Sequence, residues 1–199
     1  MMKLLVATTN EGKLRELRQL LAPLALDLVG LDQLDDPPVV EEDGTTFKDN
    51  AIKKALVLAR FSGYPTLADD SGLCVDVLAG APGVYSARYA GEQGDDKANN
   101  LKLVKELLQI PLSQRKAHFH CCIALAWPDG RCSTVEGQVD GLIIDQERGN
   151  SGFGYDPLFL VPEYGKTMAE LPAEIKNRIS HRGRALQQLL PLIAEIIHH

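Results

Sequence analysis

Apolar runs alternate with polar turns at the start of the chain, in a pattern typical of strands that lead into helices. Residues 3–8 form a short apolar run that ends in small polar residues, which predicts a buried strand. Asn10 follows where a helix cap is expected, and leucines recur at helical spacing as far as Pro23. A second strand is predicted over residues 26–31, ahead of an acidic, proline-containing loop at 32–43.

The next segment repeats this order. Thr46, with an aspartate three residues later, predicts the start of a helix that ends at Gly63. Residues 65–68 predict a strand that runs directly into a polar turn at 69–72. Residues 73–78 are expected to continue as a strand beyond that turn.

The rest of the chain predicts further helices, strands and glycine-rich loops. The helices are predicted over 95–109, 174–179 and 184–197, with a break at 180–183. The strands are predicted over 117–127, 131–136 and 139–144, the first two joined by a hairpin turn. Glycine content assigns residues 79–91 and 149–159 to loops. Strands that alternate with helices, plus one hairpin, predict an α/β fold with a mixed sheet flanked by helices.

Composition and charge argue against several classes of protein. The 199 residues, 45% of them hydrophobic, are enough for one large domain over residues 1–199, and they exclude a disordered chain. The net charge of −6 and the lack of a Lys/Arg block argue against binding a polymeric nucleic acid. No apolar run reaches the roughly 20 residues of a membrane span, and no signal peptide is evident, so we expect a cytoplasmic protein. Metal-type cysteine spacing is absent, so we expect buried thiols at Cys74, Cys121, Cys122 and Cys132.

Two polar turns are candidates for phosphate and metal chemistry. The turn from Thr8 to Lys13 places a lysine just inside a helix start, where a phosphate is a natural ligand, although such a turn can equally do no more than cap the helix. Asp69 and Asp70 follow an apolar strand, and adjacent carboxylates of this kind suit a divalent cation such as Mg²⁺. Glu41 or Glu42 could add a ligand. An exposed turn that happens to carry two aspartates is the alternative.

Two further segments are candidates for recognising a planar ring. Glycines flank Phe153 and leave its faces accessible, while Asp156 offers an acceptor beside it, although a tight turn with a core phenylalanine has the same pattern. Lys176 and the stretch 180–184 supply donors near a helix break, where surface residues of these types are also common.

Together and in this order, the motifs identify a resemblance. The chain resembles the inosine triphosphate pyrophosphatase family over residues 6–186, through TTNEGK, EEDGTTFKDNA, ADDSGL, APGVYSARYAG, GFGYDP and SHRG. The resemblance implies a cytoplasmic homodimer that uses Mg²⁺ to convert ITP, dITP and XTP to the nucleoside monophosphate and pyrophosphate. It also implies a long mixed sheet in two lobes, with the active site in a central cleft.

The resemblance also assigns roles to individual residues. Asp70 matches the proton acceptor and a metal ligand, and Glu42 matches a second acidic residue near the metal. Lys54 matches a phosphate-contacting lysine, with the neighbouring Lys53 as an alternative. The other substrate-contacting positions are Thr8, Thr9, Asn10, Glu11, Gly12, Lys13, Ser71, Phe153, Gly154, Tyr155, Asp156, Lys176, His181 and Arg182.

These assignments make chemical sense. A triphosphate carries about four negative charges, which Lys13, Lys54, Lys176 and Mg²⁺ would offset. Donors from His181 or Arg182 would favour the 6-oxo group of hypoxanthine and xanthine over the amino group of adenine. The competing interpretations are a pyrophosphatase for another nucleotide, such as a modified pyrimidine, and a catalytically silent nucleotide-binding module. The terminal pair His198 and His199 is interpreted as a native end or a tag remnant rather than a metal site.

Overall fold

A computed structural model describes residues 2–197, so His198 and His199 lie outside the described residues. The strands are β1 (Met2–Val6), β2 (Leu26–Gly30), β3 (Thr66–Val75), β4 (Lys116–Ala126), β5 (Cys132–Ile143), β6 (Phe159–Val161) and β7 (Lys166–Thr167). The helices are α1 (Glu11–Leu21), α2 (Phe47–Ser62), α3 (Asp96–Leu107), α4 (Ala173–Ile179) and α5 (His181–Ile197). Within residues 2–197, none of the helices combines the length and apolar character needed to cross a membrane.

The strands form a seven-stranded sheet in the order β2-β1-β3-β4-β5-β6-β7. Strand β1 runs parallel to both β2 and β3. Strand β6 runs antiparallel to both β5 and β7. The sheet is therefore mixed, and the predicted α/β fold is confirmed.

The described residues divide into two compact units. Unit 1 contains residues 2–70, 121–137 and 182–197, and unit 2 contains residues 71–120 and 138–181. The central cleft implied by the resemblance stays a prediction.

In unit 1, strand β1 is buried on both faces. Leu4 packs in a cluster with Leu189 of α5, whereas its neighbour Leu5 packs in a different cluster with Ala55 of α2. Because successive side chains of a strand point to opposite faces, this division is what a covered parallel strand requires. The ends of β1 and its parallel neighbours therefore have helices on both sides.

Unit 2 has its own core. Leu73 of β3, Leu103 of α3 and Phe159 of β6 are all fully buried in it. Phe119 of β4 lies against Phe159 with ring centroids 4.5 Å apart. The core sets the positions of α3 and of the chain that leads into β6.

Local capping agrees with the sequence. The side chain of Asn10 accepts a hydrogen bond from the amide of Lys13 at 3.0 Å, and α1 begins at the next residue. Thr46 accepts from the amide of Asp49 at 3.1 Å, and α2 ends at Gly63 with a positive φ of 72°. The predicted starts of α1 and α2 and the predicted end of α2 are confirmed.

Three predictions about strands are wrong. The strand predicted over residues 73–78 ends at Val75, and residues 76–78 form a short 3₁₀ helix. The polar turn predicted over residues 69–72 is absent, because β3 runs without interruption through both aspartates. A Cβ atom at Gly72 would lie only 2.3 Å from Oγ of Ser86, so the close approach of Ser86 to this strand requires glycine. The two strands predicted over 131–136 and 139–144 are likewise one strand, β5.

The four thiols form no disulfide. Cys121 and Cys122 are buried, as predicted, whereas Cys74 and Cys132 are only partly buried.

Candidate active site

The turn between β1 and α1 presents an open helix start. Oγ1 of Thr8 accepts from the amide of Asn10 at 3.1 Å, which orders the turn. Thr9, Asn10 and Glu11 are exposed, whereas Gly12 is buried. A helix start with exposed residues and a lysine in its first turn is suited to bind an anion.

Lys13 belongs to a buried ionic network in unit 1. Its Nζ atom lies 2.6 Å from Oδ1 of Asp69. The other oxygen, Oδ2, accepts from Nε of Arg182 at 3.1 Å and from the thiol of Cys121 at 2.9 Å. A second nitrogen of Arg182 pairs with Glu16 of α1. Two cations and two carboxylates are thus joined in one chain of contacts, and the buried charges are compensated.

The network fixes the protonation states of its members. Burial alone would raise the pKa of Asp69, but the nearby guanidinium of Arg182 and the ammonium of Lys13 outweigh it and hold that pKa well below its usual range. Burial would lower the pKa of Lys13, but Asp69 reverses this and raises it. Asp69 is therefore ionised and Lys13 charged at neutral pH.

Helix α2 contributes two polar side chains one turn apart. Nδ2 of Asn50 donates to Oδ2 of Asp70 at 2.9 Å. Nζ of Lys54 donates to the carbonyl oxygen of Asp69 at 2.9 Å and pairs with Glu42. Burial, with the nearby charge of Glu42, raises the pKa of Asp70 despite Lys13, Asn50 and Lys54, which lower it. Asp70 is thus a carboxylate with an increased affinity for a proton.

The structure separates the two neighbouring lysines of α2. Lys53 pairs with Asp43 at 2.6 Å, and its side chain is 41% exposed. The side chain of Lys54 is only 12% exposed and belongs to the cluster around Asp70. Of the two sequence alternatives, the geometry favours Lys54.

The donor set around Asp70 fits Mg²⁺. Glu42 is close enough to Asp70 for its charge to raise the pKa of that carboxyl, so a cation held by both would relieve the repulsion between them. Mg²⁺ prefers oxygen ligands and needs only one or two carboxylates, with waters and substrate phosphates completing the shell. Within residues 2–197, no group of three or more His, Cys, Asp or Glu side chains is arranged to hold a metal ion.

In unit 2, Asp156 organises the loop that carries Phe153. Its Oδ2 atom accepts from the amide of Phe153 at 3.0 Å and from Nζ of Lys176 at 2.6 Å. The same ammonium lies 5.4 Å from the centre of the Phe153 ring. Gly152 has a φ of 85°, and a Cβ atom there would meet Asp156 at 2.1 Å, so this position requires glycine. A partly buried aromatic ring beside a paired lysine and aspartate is suited to hold a planar polar ligand.

Tyr155 helps to anchor this loop. Its hydroxyl donates to the carbonyl oxygen of Ser86 at 2.8 Å, and its ring belongs to the core of unit 2. Burial raises the pKa of Tyr155, so the hydroxyl remains a donor at neutral pH. Tyr155 therefore anchors the loop to the core of unit 2, and its ring is not exposed for a ligand to stack on.

Three other predicted site residues have different surroundings. The ring of His181 stacks on that of Phe119, with centroids 4.9 Å apart. Arg182 is only 1% exposed and bonds to Asp69 and Glu16 within unit 1, which is typical of a structural cation. Ser71 is partly buried in β3, directly after Asp70.

Three residues around the two aspartates had no role in the site on sequence grounds. They are Glu16, Cys121 and Asn50. Asp69, a candidate metal ligand on sequence grounds, instead pairs with Lys13 and Arg182. The pair of adjacent aspartates was a signal for Asp69, and the spacing of four between Asn50 and Lys54 was a signal for one face of α2. No local signal marked Glu16 or Cys121.

The fold and these clusters define a class: an α/β protein with a lysine–carboxylate network, suited to a phosphorylated ligand. The chain belongs to the Ham1 family, whose profile matches residues 4–192. It is 57% identical to the dITP/XTP pyrophosphatase of Geobacter sulfurreducens, over 95% of each chain. It is 54% identical to the dITP/XTP pyrophosphatase of Desulforamulus reducens, over 100% of this chain and 98% of that one.

Solved structures agree with the fold. A HAM1 protein from Coxiella burnetii is 42% identical and has a TM-score of 0.88, with 98% of this chain and 100% of that chain covered. The Staphylococcus aureus Ham1 protein is 40% identical and has a TM-score of 0.85, with 97% and 98% covered. The predicted family resemblance is confirmed.

Proposed function

We propose that this chain is a nucleoside triphosphate pyrophosphohydrolase that converts dITP, ITP and XTP to the nucleoside monophosphate and pyrophosphate. Relatives that share more than half of its residues over nearly their full length carry the name dITP/XTP pyrophosphatase. The observation that carries the proposal is the buried carboxylate of Asp70, which lies in the same cluster as Lys13 and Lys54. This arrangement supports a role for Asp70 as a proton acceptor beside cations that bind phosphates.

Hydrolysis requires a water molecule to lose a proton as its oxygen bonds to the α-phosphorus. The carboxylate of Asp70 accepts that proton. Asn50 holds one oxygen of Asp70 and so orients the carboxylate. The bond between the α-phosphorus and the bridging oxygen breaks, and pyrophosphate leaves with that oxygen. The chain needs no covalent intermediate for this reaction.

Lys13 and Lys54 bind the phosphates of the substrate. Lys54 already bridges the backbone of Asp69 and the side chain of Glu42, so its ammonium is oriented before a substrate binds. Preorganised cations stabilise developing charge without further reorganisation. Mg²⁺, held by Asp70 and Glu42 when bound, would neutralise phosphate charge and polarise the phosphates.

The base is recognised by the loop around Phe153. The ring provides a stacking surface, and Lys176 provides a donor beside it for an oxo group. Lys176 is already paired with Asp156, so its charge is largely compensated. This favours a role for Lys176 as a hydrogen-bond donor to the base over a role in offsetting the charge of the triphosphate. Adenine would present an amino donor to a donor, and each unpaired buried polar group costs about 1–3 kcal/mol, so ATP is disfavoured. The family resemblance supports a homodimer in the cytoplasm as the working form.

A panel of nucleoside triphosphates assayed with Mg²⁺ tests the proposal. XTP and dITP are expected to yield the monophosphate and pyrophosphate, with turnover at least about 100-fold above that of ATP. Hydrolysis in ¹⁸O-labelled water should place the label in the monophosphate, because attack is at the α-phosphorus. Label in pyrophosphate would contradict the mechanism, and equal turnover of ATP and XTP would refute the selectivity. A preference for pyrimidine triphosphates would point to the alternative enzyme.

Replacing the two neighbouring lysines by methionine separates their roles. Lys54→Met is expected to lower kcat/KM for XTP about 100-fold, because it removes an oriented cation from the phosphates. Lys53→Met serves as the matched control, since its partner Asp43 lies at the surface, and it should change kcat/KM less than threefold or so. Steady-state kinetics of both variants measure the difference. Equal losses in the two would remove Lys54 from its role.

A further inference from the structure

Helix α3 holds both polar groups of the backbone at Gly154. The amide of Gly154 donates to Oδ2 of Asp96 at 2.7 Å. The carbonyl oxygen of Gly154 accepts from Nδ2 of Asn100 at 3.2 Å. Asp96 and Asn100 are four residues apart, so they lie one turn apart on the same face of α3. Gly154 directly follows Phe153, so these hydrogen bonds lie next to the ring on which the base is proposed to stack.

The orientation of the Asn100 amide is determined by its acceptors. The same Nδ2 atom also donates to Oε1 of Glu147 at 2.9 Å. A carbonyl oxygen and a carboxylate both require a donor at this position, so the amide cannot be reversed without losing both bonds. Asn100 is only 5% exposed, so the hydrogen bonds of its amide nitrogen are made to these two protein acceptors rather than to bulk water.

The Phe153 backbone is therefore fixed from two directions. Asp156 bonds its amide, and α3 bonds the residue that follows it. Gly154 has a φ of 60°, which glycine adopts without strain, so the backbone can present both its amide and its carbonyl oxygen to α3.

We propose that Asn100 is a positioning residue that sets base recognition, because it holds the loop that presents Phe153. The inference rests on the proposed function and deepens it. Asn100 does not touch the base. It acts through the backbone of Gly154, so its loss should weaken binding of the base more than the chemical step.

The helix itself does not depend on Asn100. Its start is capped by Asp95, which accepts from the amide of Ala98 at 2.9 Å. The preceding residue, Asn99, is also buried, but its oxygen accepts from the amide of Ala90 and its nitrogen donates to the carbonyl oxygen of Ala87, so it bonds a different segment of the chain. Asn99 therefore offers a control of the same type, on the same helix.

The test compares Asn100→Asp with Asn99→Asp in the full-length protein. Asn100→Asp keeps the side-chain size but removes the donors and places a carboxylate against Glu147 and the carbonyl oxygen of Gly154. In the ligand-free protein, hydrogen exchange of the amides in residues 152–156 is expected to accelerate about tenfold, because two hydrogen bonds are lost. KM for XTP is expected to rise about tenfold with kcat changed less than threefold, and the preference for XTP over ATP should fall.

Two further results decide the interpretation. Adding Glu147→Gln to Asn100→Asp restores a donor–acceptor pair, and it should recover part of both the exchange protection and the KM. Asn99→Asp should leave exchange in residues 152–156 unchanged. Equal acceleration in the two single variants, or unchanged exchange and KM in Asn100→Asp, would overturn the proposal. If the wild-type protein does not hydrolyse XTP, the proposed function fails, whereas the exchange comparison still decides whether Asn100 holds the loop.

Discussion

Asp70→Asn is expected to lower kcat for XTP about a thousandfold, because the amide cannot accept the proton that the attacking water must lose. The substitution changes the shape of the side chain very little. Its oxygen can still accept from Asn50, which now donates to Asp70 at 2.9 Å. The loss should therefore be confined to the reaction.

Stability measurements separate this effect from misfolding. Burial and the charge of Glu42 both disfavour the ionised form of Asp70, so its neutral replacement should leave the free energy of unfolding unchanged or higher. Asp43→Asn is the matched control, because Asp43 carries the same side chain at the surface beside Lys53. It should retain nearly full activity. A variant Asp70→Asn that keeps more than a tenth of the wild-type kcat would exclude Asp70 as the proton acceptor.

Asp69→Asn is expected to lower the free energy of unfolding by about 3–5 kcal/mol, because it leaves buried cations without their carboxylate. Lys13 and Arg182 both contact Asp69, and Arg182 also pairs with Glu16. Urea unfolding at neutral pH measures the difference. A change below about 1 kcal/mol would mean that the network contributes little to the fold.

The same variant predicts a pH dependence. The pKa of Asp69 in the folded protein lies well below its ordinary value of 3.8, so the carboxylate stabilises the fold above that pH and loses its effect as the pH falls. The gap in stability between wild type and Asp69→Asn should be constant above about pH 5. Below pH 3.8 it should narrow by about 1.4 kcal/mol per pH unit. A gap that widens on acidification would have the wrong sign.

Local signals were sufficient for much of the fold. The caps Asn10 and Thr46 bond to amides within their own first turns, so a few neighbouring residues predict where α1 and α2 begin. The course of β3 could not be predicted in this way. Burying two adjacent aspartates is costly unless cations compensate them, and one such cation, Arg182, lies 113 residues away from Asp69 in the sequence.

For the candidate site too, local motifs predict some residues, whereas partners distant in the sequence could not be predicted. The motifs were enough to select Lys13, Asp70 and the Phe153 loop, because each carries its own chemistry. The partners that hold them in place are ordinary polar residues on helices. Asn100, for example, bonds a carbonyl oxygen 54 residues further along, and no local pattern distinguishes it from an asparagine on a solvated helix face.

The alternation of side chains along β3 gives its two aspartates different surroundings. Leu67 and Ala68 belong to separate core clusters, and the aspartates continue this alternation. Asp69 meets Cys121 and Asp70 meets Asn50. An insertion or deletion of one residue in β3 ahead of the two aspartates would exchange the faces of the sheet to which they point, without changing the sequence of the motif. A variant of this kind would match every family signature and still be inactive, so the phase of the strand is as much a part of the site as its composition.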